Sequence, residues 1–139
     1  MWGNRTFSII KPGIVERNSV GEVIHAVEEK GFRIVAIKKI MLTKEQAQAF
    51  YGVHEGKEFY ERLVKYMTSG PVMPMILEKE NAVADFRELI GSTSPELAQE
   101  GTIRKRFATS VTKNAIHGSD SDENAEIESA FFFSKLERF

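Results

Sequence analysis

"RTFSIIKPGIVERNSVGEVIHAVEEKGFRIVAIKKIML", Arg5 to Leu42, contains a strand signal, a helix signal and a second strand signal in succession. "RTFSIIK", Arg5 to Lys11, is β-branched and aromatic, and Pro12 with Gly13 ends it. Ser19 followed three residues later by Glu22 has the spacing of a capping box. Val20, Val23, Ile24 and Val27 then recur at helical spacing until Gly31 breaks the pattern. That stripe should face a sheet, and "FRIVAIKKIML", Phe32 to Leu42, reads as the next strand.

Further along, Thr43 with Gln46 opens a short helix, and Phe59, Leu63, Val64 and Met67 mark another that "SGP" at Ser69 to Pro71 terminates. "VMPMILE" gives a third strand, where Pro74 argues for an edge or a bulge because it cannot donate to a ladder. Asn81 can cap a helix carrying Val83, Phe86 and Ile90; "GSTSPELAQEG" has no strong periodicity and precedes "TIRKRFATSV". The fourth strand is expected at "AFFFS", Ala130 to Ser134. These elements predict an α/β (α+β) chain of ferredoxin-like βαββαβ order, a four-stranded antiparallel sheet with helices on one face. Such a fold serves many functions and identifies none.

Composition narrows the classes. The 139 residues, 42% hydrophobic and 28% charged, predict one globular domain over 1–139. Nineteen basic against twenty acidic side chains remove the simplest argument for nonspecific nucleic-acid binding, so any basic site must be local. Without cysteine there is neither a disulfide framework nor a thiolate zinc site, and three scattered histidines offer little to a transition metal. No apolar run approaches the roughly 18 residues of a membrane span, and "MWGNRTF" lacks the apolar core of a signal peptide. A soluble cytoplasmic protein is expected.

The informative residues are those that fit their local structure poorly. Arg87 lies about 40° around its helix from Val83, using ~100° per residue, so it borders the apolar stripe. A lone arginine there would snorkel to water. Arg104 in "TIRKR" changes the reading, because two arginines with Thr93 and Thr102 nearby suit a polyphosphate. For Lys105 and Arg106 a solvated helix face is expected. In "KNAIHGSDSDENAEIE", Lys113 to Glu128, Asp120 with Glu123 can cap a helix carrying Ala125 to Glu128, leaving Gly118 and Ser119 in the turn before it. Free amides at a helix start attract phosphate, and a neutral imidazole at His117 is a competent nucleophile toward a phosphoryl group near pH 7. Glu128, about two turns into the helix, could hydrogen-bond that imidazole and fix its tautomer. A His-Gly pair alone is ordinarily structural; the combination is more specific than its parts.

In this light the chain resembles a nucleoside diphosphate kinase, on "TFSIIKP" (Thr6 to Pro12), "FYERLVKYMTSGPV" (Phe59 to Val72), "GSTSP" (Gly91 to Pro95), "EGTIR" (Glu100 to Arg104) and "NAIHGSDS" (Asn114 to Ser121), in family order across nearly the whole chain. The resemblance implies a nucleotide-binding loop and a ping-pong reaction. The γ-phosphoryl of a nucleoside triphosphate passes to His117 and then to a second nucleoside diphosphate, which maintains nucleotide pools. It implies that Lys11 and Asn114 contact ribose and sugar-side phosphate oxygens, and that Arg87, Thr93 and Arg104 hold the diphosphate. Phe59 would stack on the base with Leu63 beside it, and Tyr51 would hydrogen-bond near the transferred phosphoryl. Ser119 and Glu128 would orient His117, and Asp120 would reach Mg2+ through water. The magnesium ion would sit mainly on phosphates and water. By local pattern alone, Phe59 and Tyr51 would be core residues and Lys11 a surface lysine. An aromatic platform binds the π-face that every base has, so broad base specificity follows. ATP, other (d)NTPs and (d)NDPs are the expected partners within a homo-oligomer, tetramer or hexamer, with no membrane and no nucleic acid required.

Two departures from the family pattern stand out. Gly13 replaces a common aspartate and Arg106 replaces a usual acid; neither position contacts nucleotide in the family, so the differences bear on loop support and subunit packing. After "FFFSKLERF" the longer tail that some members use in assembly is not expected. The alternatives are a ferredoxin-like nucleic-acid-binding module and a phosphohistidine carrier without kinase activity. The first would need exposed strand aromatics in a "K/R-G-F/Y" context, a string this chain lacks. The second would not need Arg87, Arg104, Phe59 and Lys11 to hold a nucleotide.

Overall fold

A computed structural model describes residues 3–110 and 113–139; the first two residues of "MWGNRTF" and Val111 of "TIRKRFATSV" lie outside the described residues. The sheet has the order β2 (Arg33–Ile37), β3 (Met73–Glu78), β1 (Arg5–Ile10), β4 (Ile116–Gly118), with every neighbouring pair antiparallel. Around it lie α1 (Pro12–Glu16), α2 (Val20–Glu29), α3 (Lys44–Phe50), α4 (Tyr60–Met67), α5 (Ala82–Ile90), α6 (Ile103–Phe107) and α7 (Asp122–Phe132). The succession β1, α2, β2, β3, α5, β4 is the expected βαββαβ order. Among the described residues no helix is long and apolar enough to cross a membrane.

Strand alternation gives the sheet two buried faces. On one, Ile10, Met75, Leu77 and Ile116 pack against Val23 and Val27 of α2 and Phe86 and Ile90 of α5, the two helices of the βαββαβ unit. The other face is covered too: Phe7, Ile9 and Ile76 meet Ala47 of α3, Val64 and Met67 of α4, and Phe132 of α7. Removing each of these side chains larger than alanine from water stabilises the fold by roughly 1.5–3 kcal/mol.

Several local expectations are corrected. The fourth strand is not "AFFFS": Ala130, Phe131 and Phe132 are the last turn of α7, and the strand is the three-residue β4. Ala125, Ser129 and Phe132 recur on one helix face and are buried, so packing on the sheet overrides the β propensity of the aromatic run. Pro74 is not on an edge strand, since β3 lies between β2 and β1. Its carbonyl accepts from Lys38 N at 3.2 Å, and its nitrogen faces the same side, where β2 has already ended, so no ladder bond is lost. The register irregularity falls instead between Ile34 and Ala36 of β2. The second strand stops at Ile37, well short of Leu42, leaving only an isolated bridge between Ile40 and Val72.

Capping follows the same pattern. Thr43 and Gln46 form both bonds of the expected box. Ser19 makes no side-chain cap, and Glu22 is engaged by Arg106 at 2.8 Å instead. At α7 the cap is Ser121, accepting from Asn124 N at 3.0 Å, while Asp120 accepts from the Asn124 side chain at 2.6 Å. Asn81 precedes α5 in the left-handed region (φ 56°) without a side-chain cap.

Gly118 sets how closely α5 approaches β4. A Cβ added there would lie 2.8 Å from Ile90 Cδ1 and 3.2 Å from Phe86 Cδ2. We expect Gly118→Ala to destabilise the protein by ~1–3 kcal/mol, read as a lower urea midpoint at unchanged slope. Gly52→Ala, where an added Cβ meets nothing within 4 Å, should leave the midpoint nearly in place. A Gly118→Ala midpoint equal to that of the parent would mean that α5 can withdraw without cost.

Candidate active site

His117 lies on β4, opposite Ile9 of β1, and Gly118, expected in the turn before the helix, is the last residue of that strand. Residues directly opposite in an antiparallel pair project to the same face, so the imidazole emerges on the side of Ile9 and Phe7, where α7 packs. There His117 Nε2 is 2.8 Å from Glu128 Oε1, and Ser119 Oγ donates to the same oxygen at 2.6 Å. Ser119 is fully buried, with its backbone N–H on Phe7 O at 3.2 Å. A carboxylate oxygen can only accept, so the proton in the His117–Glu128 bond sits on Nε2 and the lone pair of Nδ1 is left free.

The backbone before β4 is unusual. Ala115 is buried with φ 78°, and Ile116 N donates to Asn114 O at 2.9 Å, closing a three-residue γ-turn. This bend places Asn114 beside the end of β1: Lys11 N donates to Ala115 O at 3.0 Å and Lys11 Nζ to Asn114 Oδ1 at 2.6 Å. Lys11 is only 5% exposed. Burial, followed by repulsion from Arg104, lowers its ammonium to about 7.

Two guanidiniums flank the histidine. Arg104, 7% exposed, donates from Nη2 to Ile116 O at 2.9 Å and from Nη1 to Gly91 O at 3.0 Å, while its Nε is buried without a partner. Arg87 donates from Nη1 to Gly118 O at 3.3 Å and remains exposed. The residues on either side of His117 therefore each hold one arginine through a carbonyl. Burial first, then Arg87, lowers Arg104 to about 10, which leaves it charged at neutral pH.

Around this centre, Tyr51 is buried with its hydroxyl unpartnered, and burial, then the Glu128 carboxylate, raise the phenol above its ordinary value. Phe59, half-buried at the start of α4, and Leu63 on the next turn form an apolar shelf. Thr93 is exposed in the loop between α5 and α6, and Asp120 is exposed at the entrance to α7; neither touches His117. Lys105 and Arg106 are exposed, as expected. Gly13, one of the two departures, gives its N–H to Tyr66 Oη at 2.9 Å; a Cβ there would sit 2.6 Å from that oxygen.

Two kinds of residue escaped the sequence reading. His54 packs its ring 5.0 Å from that of Phe59, and its Nδ1 is buried without a partner. Burial, then Lys57 and His117, lower its value. The signal available was its place between Tyr51 and Phe59. Phe7 and Phe50 approach the His117 ring itself, and nothing in their local spacing distinguishes them from core.

Comparison with known proteins follows from this geometry. The family described as nucleoside diphosphate kinase matches residues 4–138. The Chlorobaculum tepidum nucleoside diphosphate kinase is 61% identical over 133 residues, 96% of this chain and 95% of that one, and the Flavobacterium psychrophilum protein of the same name is 54% identical over 98% of each. Among solved structures, the Aquifex aeolicus nucleoside diphosphate kinase superposes with a TM-score of 0.94 at 42% identity, covering 98% of this chain and 99% of that one. A Halobacterium salinarum nucleoside diphosphate kinase in complex with CDP gives 0.94 at 37% identity, covering 99% and 91%. With a histidine buttressed by a carboxylate, flanked by arginines and matched over nearly its whole length, the chain belongs to the nucleoside diphosphate kinase family, enzymes that move a phosphoryl group between nucleotides.

Proposed function

We propose that this chain, as one domain over 1–139, carries out the family reaction through a phosphohistidine at His117 Nδ1. The observation that carries the assignment is the 2.8 Å bond from Nε2 to Glu128, which leaves Nδ1 as the nucleophile. In the first half-reaction Nδ1 attacks the γ-phosphorus of a nucleoside triphosphate, the bond to the β-bridging oxygen breaks, and the diphosphate leaves. In the second, a terminal oxygen of another diphosphate attacks phosphorus and the P–N bond breaks. Glu128 stabilises the positive charge on the phosphorylated ring, and Ser119 holds Glu128. Phosphoryl transfer requires alignment and charge neutralisation more than covalent help, which suits Lys11, Arg87 and Arg104 around one nucleophile.

Thr93 and Asn114 complete the phosphate and sugar contacts, Tyr51 presents its free hydroxyl toward the transferred group, and Phe59 with Leu63 takes the base by stacking, without edge readout. The CDP held by the Halobacterium relative supports a nucleoside diphosphate in this cleft. Among the described residues no three His, Asp or Glu side chains gather into a cation cage. The exposed carboxylate of Asp120 would reach Mg2+ through water, and the ion, held mainly by phosphate oxygens and water, would supply charge neutralisation there. We also read the chain as a cytoplasmic homo-oligomer, tetramer or hexamer. Exposed Leu136 and Phe139 support this, since they lie beside the edge of β2, where Phe139 N bonds Val35 O at 3.1 Å.

His117→Ala should abolish transfer while leaving ADP binding largely intact, because it removes the nucleophile and spares the phosphate clamp. Arg87→Ala should weaken binding and transfer together by about 10- to 100-fold, the worth of a charge-assisted hydrogen bond. Acid-labile, base-stable label from γ-labelled ATP, collected on adding GDP, checks the intermediate; equal loss of ADP binding in the histidine variant would contradict the division of roles.

Lys11 adds a pH dependence. Its free value of about 7 should rise when a phosphate oxygen meets the ammonium. ADP binding should therefore take up a proton at Lys11, with affinity falling as pH rises above about 7. Calorimetry in buffers of different ionisation heat measures that uptake, and Lys11→Met should lose it. The same uptake in both proteins would assign the proton elsewhere.

A further inference from the structure

The His117 ring is bounded by more than its bond to Glu128. Phe50, the last residue of α3, meets it edge-on at 5.8 Å between centroids with an interplanar angle of 76°, and Phe7 of β1 meets it at 6.0 Å and 60°. Phe50 also contacts Phe7 at 6.0 Å, Phe131 at 5.3 Å, Phe132 at 5.2 Å and Tyr51 at 4.9 Å, which joins α3, α7 and β1 around the imidazole. Phe132 in turn stacks on Phe7 at 5.4 Å and 6°. A single hydrogen bond at Nε2 fixes the position of that atom but lets the ring rock about the Nε2···Oε1 axis. Two phenyl rings, themselves held in a packed cluster, remove that freedom and form an apolar wall beside the imidazole.

We infer that Phe50 is a positioning residue of the phosphohistidine, holding the plane of the His117 ring for in-line transfer and keeping water from the phosphorylated imidazole. The inference rests on His117 as the phosphoryl carrier. Two fates compete for that intermediate. In transfer, a terminal oxygen of the diphosphate bonds to phosphorus as the P–N bond breaks. In hydrolysis, a water oxygen does so, its proton goes to solvent, and inorganic phosphate leaves. A ring free to rock is worse aligned for the first and more open to the second. Phe50, and not Phe7, is the informative position, because Phe7 is fully buried in the sheet whereas Phe50 is half-buried at a helix end and its replacement spares the core strand.

The test compares the parent, Phe50→Leu, Phe50→Ala and Phe131→Ala. Each is phosphorylated with ATP and Mg2+ and freed of nucleotide. Inorganic phosphate release is then followed without acceptor, and single-turnover transfer after adding GDP. In Phe50→Leu we expect the transfer rate at saturating GDP to fall about tenfold, the KM for GDP to change less than about twofold, and hydrolysis to rise several-fold, with larger changes in Phe50→Ala. Phe131→Ala, which loosens the far side of the same cluster without touching His117, should leave the ratio of transfer to hydrolysis near that of the parent. Unchanged transfer and hydrolysis in both Phe50 variants, or the same shift in Phe131→Ala at equal loss of thermal stability, would overturn the role of Phe50. Failure of the parent to take label would instead overturn His117 as carrier, and the proposal with it.

Discussion

His117 stands where it does because three residues of β4 pair with three of β1, Ile9 opposite His117 and Gly118 opposite Ser8. That ladder is short, and other contacts reinforce it from both faces. Below, the missing Cβ of Gly118 lets Ile90 and Phe86 press against the strand. Above, Glu128 on α7 grips the imidazole, and the buried Ser119 holds Glu128. Shifting the pairing by one residue would turn the imidazole into the opposite core and remove it from Glu128 altogether.

The cations around this strand are held by the protein's own dipoles. Lys11 donates to Asn114, and Arg104 to the carbonyls of Gly91 and Ile116 while its Nε has no partner; among the described residues neither buried cation meets a carboxylate. Burying positive charge opposed only by neutral dipoles is unfavourable, and burial, followed by repulsion from the neighbouring guanidinium, lowers both groups. A full negative charge placed beside these groups would offset that cost. The direct Lys11–Asn114 bond depends on the γ-turn at Ala115, which turns the chain back toward the end of β1.

The two departures from the family pattern are absorbed locally. At position 13 the glycine leaves room for the Tyr66 hydroxyl against the first turn of α1, where an acid could have capped it. Arg106 pairs with Glu22 on α2, which explains why Glu22 is not available to the Ser19 cap. Both adjustments lie away from the His117–Glu128 pair.

The local signals from Arg5 to Leu42, with "VMPMILE" and the stripe of Phe86 and Ile90, located the first five elements of the βαββαβ order, because amphipathic periods and breaking residues act over a few neighbours. Motif strings such as "NAIHGSDS" and "EGTIR" likewise exposed His117, Asn114 and Arg104 without coordinates. What local pattern could not show depends on partners distant along the chain. Ile116–Gly118 is too short to alternate visibly and becomes a strand only by bonding to β1; "AFFFS" has strand composition yet ends a helix because Phe132 finds Phe7; Pro74 sits inside the sheet because β2 stops before reaching it. Phe50 and His54 acquire their neighbours only when folding brings them against His117 and Phe59. The identity of the chemical groups is written along the chain, whereas their alignment is a property of contacts between segments more than a hundred residues apart, such as Lys11 with Asn114.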